Sequence, residues 1–69
     1  MTNYLVSYED GATGWGAYSP DLPGVAVVGQ TRAEVETLMQ EAIPFHLAGL
    51  RELGLPVPEP HNVAGVVAA

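Results

Sequence analysis

Sixty-nine residues, 48% of them apolar, suffice for one small folded domain over 1–69 and are too apolar for a disordered chain. Eight Asp and Glu against Arg32, Arg51 and no Lys give a formal charge of −6, which excludes nucleic-acid binding, because displacing phosphate counterions takes several cations. No Cys or His/Cys cluster offers a disulfide framework, metal centre or cofactor site, and no apolar run approaches the ~20 residues that span a bilayer.

The first predicted element is a strand through Tyr4, Val6 and Tyr8, which alternate with Leu5 and Ser7 at period two. Glu9 to Gly14 is polar and Gly-flanked and reads as a hairpin loop, with Trp15 to Ser19 as the returning strand ended by Pro20. Pro23 and Gly24 suit the central positions of a type II turn, where Pro presets φ and Gly accepts a positive φ. A β-branched third strand follows from Val25 to Gly29.

Thr31, with Glu34 three residues on, has the pattern of a capping box, so a helix is expected from Arg32 to about Leu53, with Gly54 as its left-handed stop. At about 100° per residue, Val35, Leu38, Met39, Ala42, Ile43, His46, Leu50 and Leu53 fall on one side, the face to lie on the sheet. Pro44 falls opposite that stripe, where the Gln40 carbonyl it frees can be hydrated, so the helix bends there rather than breaks. Beyond the Pro56-Pro58-Pro60 linker, Val63, Val66 and Val67 predict a fourth strand. The expected fold is therefore α+β, with a three-stranded antiparallel meander, one long helix on one face and a fourth C-terminal strand, in the order βββαβ.

The ordered set Pro20-Asp21-Leu22-Pro23-Gly24, Gly29-Gln30-Thr31, Glu41-Ala42-Ile43, Phe45-His46-Leu47 and Gly54-Leu55-Pro56-Val57-Pro58-Glu59-Pro60 resembles the HicB-like antitoxin family from about Tyr4 to Pro60. The resemblance implies an incomplete ribonuclease-H-like core and a cytoplasmic protein that binds and occludes a small basic RNA-cleaving toxin of the HicA kind. Members of the family commonly carry a further DNA-binding segment. Nothing of that length or charge follows Pro60 here, so sequence-specific DNA binding is not expected. The competing reading is a solitary oligomeric interaction module without a toxin.

Five residues stand out as partner-binding candidates: Asp21, Trp15, Tyr18, Glu9 and Asp10. Asp in a turn ordinarily accepts the amide two residues on, but that position is Pro23, so the Asp21 carboxylate looks to Gly24 or off the chain. The alternative is a turn-stabilising role. Trp15 and Tyr18 lie on opposite faces of their strand, one beneath the helix and the other on the open sheet face. Metal-dependent nuclease chemistry is disfavoured, because the interior of the first strand, Tyr4 to Tyr8, holds no carboxylate. His46, on the apolar stripe, is expected as a neutral core histidine bonded to a carbonyl or a tyrosine hydroxyl; His61 has no second ligand beside it. A core this small gains from self-association, and Val63, Val66 and Val67 are the candidate homo-oligomer interface through strand addition.

Overall fold

A computed structural model describes residues 2–69. Three strands, β1 (Ser7–Gly11), β2 (Gly14–Tyr18) and β3 (Ala26–Gly29), form one antiparallel sheet in the order β1-β2-β3, and a single helix, α1 (Arg32–Glu52), covers one face. The α+β class and the meander are those the sequence predicts.

The first hairpin is tighter than its polar sequence suggests. Glu9 pairs with Gly16, Asp10 with Trp15 and Gly11 with Gly14, leaving Ala12-Thr13 as a two-residue turn. Glu9 and Asp10 thus belong to β1 and not to a loop, and Tyr4 to Val6 run into the strand without joining the ladder. Polar side chains suit an outer strand because they hydrate freely at its exposed side. Gly14 is required here: its φ is 145°, and a Cβ would lie 2.5 Å from the Gly29 carbonyl oxygen on the neighbouring strand.

The β2–β3 connection consists of two consecutive turns, closed by Leu22 N–H to the Ser19 carbonyl (3.1 Å) and Val25 N–H to the Leu22 carbonyl (3.2 Å). Each turn holds Pro at its second position, Pro20 and Pro23, and Gly24 takes a φ of 90°, as the type II geometry demands. The shared residue, Leu22, is driven into the core. With Ala17, Val25, Val35 and Met39 it forms the buried cluster, flanked by Tyr4, Val6, Tyr8, Trp15, Val27, Ala42, Ile43 and Leu47.

Thr31 caps α1, its Oγ1 accepting from the Glu34 amide at 3.1 Å. The return arm of the capping box is not made; the Glu34 carboxylate lies over Gly29 instead. At the other end Gly54 (φ 68°) donates to the Arg51 carbonyl and Leu55 to the Leu50 carbonyl, a Schellman motif. Pro44 sits on the exposed side, and α1 continues through it. The buried stripe differs from the expected one. Val35, Met39, Ala42 and Ile43 pack on the core together with Leu47, which the expected stripe does not include, whereas Leu53 is exposed and Leu38, His46 and Leu50 are half-buried outside the core. The strands are four and five residues long against a 21-residue helix, so the C-terminal end of α1 has less to lie upon. His46 is not the hydrogen-bonded core histidine expected from the stripe.

The fourth strand is absent among the described residues. From Pro56 onward the chain is irregular, and Val63, Val66 and Val67 are 89%, 99% and 92% exposed. The segment pairs with neither outer strand and covers no apolar surface, so its β propensity is not realised.

Candidate partner-binding surface

Strand register assigns each side chain to a face. Tyr8, Trp15, Ala17 and Val27 lie on the α1 side, with Asp10 opposite Trp15 at its margin. The open face carries two rows, Glu9–Gly16–Val28 and Ser7–Tyr18–Ala26. Gly16 leaves the middle of the first row without a side chain, so Glu9 and Val28 flank a shallow groove beside Tyr18. Trp15 is therefore the aromatic beneath the helix and Tyr18 the one on the open face.

At the hairpin end a broad concavity of about 650 Å³ is lined by Glu9, Asp10, Trp15 and Glu34, together with Gly16 and Val28 from the open face. Three of the eight carboxylates converge there, and no cation lines it. Both arginines lie elsewhere: Arg32 pairs with Glu36 at 2.9 Å and sits 5.4 Å from the centre of the Tyr8 ring, and Arg51 is near the C-terminal end of α1. A surface of this kind attracts a cationic partner and offers Tyr18 and Val28 as apolar contacts. No three His, Asp or Glu among the described residues come together in a way that could hold a metal ion.

Asp21 does not join that surface. Its carboxylate is buried, the residue being 3% exposed, and it faces the chain's own linker. Oδ1 accepts from the Asn62 side-chain amide at 2.5 Å and lies 2.7 Å from His61 Nδ1, while Oδ2 accepts from the Asn62 backbone amide at 3.3 Å. Burial pushes the Asp21 carboxyl up, but the Asn62 and His61 hydrogen bonds and the His61 charge outweigh it, and the net position is below the ordinary carboxylate value. Two further bonds close the same seam: the Tyr4 hydroxyl donates to the Pro58 carbonyl (2.6 Å) and the Ser19 hydroxyl to the Leu5 carbonyl (2.8 Å). Together they latch both ends of the chain to the β2–β3 turns.

Asn62 was not foreseen. The missing amide of Pro23 signals that Asp21 must bond elsewhere, but its partner lies 41 residues away, a separation no local pattern encodes. The structure also places Glu9 and Asp10 inside β1, which removes the carboxylate-free first strand as an argument against nuclease chemistry. Alternation instead sends these two side chains to opposite faces of the sheet.

The profile of the family described as HicB_like antitoxin of bacterial toxin-antitoxin system matches residues 4–69, nearly the whole chain. The chain belongs to the HicB-like antitoxin family. No curated protein and no solved structure matches it. No helix among the described residues is long and apolar enough to cross a membrane.

Proposed function

We propose that this HicB-like antitoxin acts in the cytoplasm by masking a small basic RNA-cleaving toxin of the HicA kind, and that it performs no catalysis itself. The observation that carries the reading is the one-sided charge of the hairpin end. Glu9, Asp10 and Glu34 line a concavity without a cation, next to an open face that offers Tyr18 and Val28. A toxin that holds RNA must present cationic side chains to phosphate, and those side chains are the natural complement of this surface. Trp15, half-buried and packed on the core, also lines the concavity. Asp21 acts indirectly in this scheme, by holding the framework on which the surface is built.

The test is to co-express the chain with the product of any short basic reading frame beside its gene. Relief of growth arrest, together with a complex that dissociates as salt rises, is the expected result. Continued arrest, or a complex indifferent to salt, overturns the electrostatic masking proposed here.

A further inference from the structure

The two outer strands of the sheet are protected unequally. β1 carries Glu9 and Asp10, charges of the kind that discourage strand addition, whereas β3 reads Ala26-Val27-Val28-Gly29, with no charge, no proline and no strand on its far side. The chain also holds a second segment with nothing to bury against: Val63 to Ala69 is irregular, uncharged in its side chains and exposed throughout. The radius of gyration is 13.3 Å, against about 11 Å for a compact chain of this length, as expected when a segment projects from the body.

We infer that residues 63–69 of one copy add as a strand to the β3 edge of a second copy, giving a reciprocal two-fold dimer. Charge selects this occupant and this edge. Two copies each carrying −6 repel through most of their surfaces, and the tail and β3 are uncharged segments that two identical chains can bring together without opposing carboxylates. Length also fits, because seven extended residues reach about 23 Å, more than the four-residue strand requires. The tail is anchored as well: Asp21 holds Asn62 at the β2–β3 turns, so residues 63–69 leave the body from a fixed point. Adding the strand supplies partners for the free backbone groups of β3 and lets Val63, Val66 and Val67 bury side chains now in water. An isologous arrangement makes both joints at once. The β3 edge shares Val28 and Gly29 with the concavity of the toxin reading, but the test reads the self-association of the chain alone, so the two readings fail separately.

Sedimentation equilibrium on the intact chain tests it, with two variants that change net charge in opposite directions. Val28→Lys alters an 80% exposed side chain on β3, and Val66→Asp alters the tail; both leave the buried cluster untouched. The intact chain is expected to dimerise, and each variant to raise the dimer dissociation constant at least about tenfold. Val28→Lys lowers the net negative charge, so its loss of dimer cannot come from general repulsion. Mixing the two variants should restore a dimer, because one chain contributes an unaltered tail and the other an unaltered edge. Amide-exchange protection at 26–29 and 63–69 should rise with protein concentration in the intact chain only. A chain that stays monomeric up to about 1 mM, a dimer indifferent to both variants, or protection that is independent of concentration overturns the inference.

Discussion

Asp21 and the Glu9–Asp10 pair carry the same chemical group and have opposite roles. Asp21 sits among donors from its own chain, Asn62 and His61, and its charge is consumed in joining the linker to the β2–β3 turns. Glu9 and Asp10 are exposed on an outer strand, their carboxylates without a hydrogen-bond partner among the described residues, and their charge remains available to another molecule. Net charge alone therefore says little about where an acidic protein meets its partner. The carboxylates that matter for binding are those the fold leaves unspent.

The sharpest way to break the turn region is through its apolar anchor rather than its charge. Leu22 is fully buried where the two turns meet, and Leu22→Ala is expected to cost about 2–5 kcal/mol. A domain of this size typically has only about 3–5 kcal/mol in total, so the variant should be largely unfolded at room temperature. Urea denaturation followed by Trp15 fluorescence measures this. A well-folded Leu22→Ala protein would show that the turns are held by their hydrogen bonds instead.

The polar half of the same region has a smaller, pH-dependent effect. The Asp21 carboxyl titrates lower in the folded chain than its ordinary 3.8, so its contribution is fully present above that pH and is lost as the pH falls through the folded value. Acid unfolding of the native chain should show a component below pH 3.8 that Asp21→Asn removes. At neutral pH the same variant should lose amide-exchange protection at His61 and Asn62 while the sheet keeps its own. Unchanged protection at Asn62 would mean that the linker is held by Tyr4 and Pro58 alone.

What the sequence reveals and what it conceals divide along the same line as these effects. The type II turn at Pro23-Gly24, the Thr31 cap and the Gly54 stop are all decided by residues within a few positions of one another, and the structure has each of them. The hairpin loop comes out too long on a local reading because Glu9 and Asp10 look like loop residues until β2 supplies their pairing. The tail misleads for the converse reason: its composition favours a strand, but a strand needs pairing, and within the chain the tail pairs with neither outer strand. Of the candidate site residues, Trp15 and Tyr18 are separable by strand alternation alone. Which of them lies under α1 depends on tertiary packing.

The smallest expected effect on stability belongs to the other side of the comparison. Glu9→Gln and Asp10→Asn remove charge from exposed carboxylates with no hydrogen-bond partner among the described residues, so the double variant should stay within about 0.5 kcal/mol of the native chain in urea. The same change relieves repulsion with Glu34, which lines the concavity with them. Toxin capture should behave in the opposite way: association slows and the salt dependence flattens, because steering depends on these charges whereas folding does not. Asp21→Asn should give the mirror image, with stability at acid pH altered and the salt dependence of capture unchanged. If instead Asp21→Asn flattens the salt dependence and the Glu9/Asp10 variant leaves it steep, the spent and unspent carboxylates have been assigned the wrong way round.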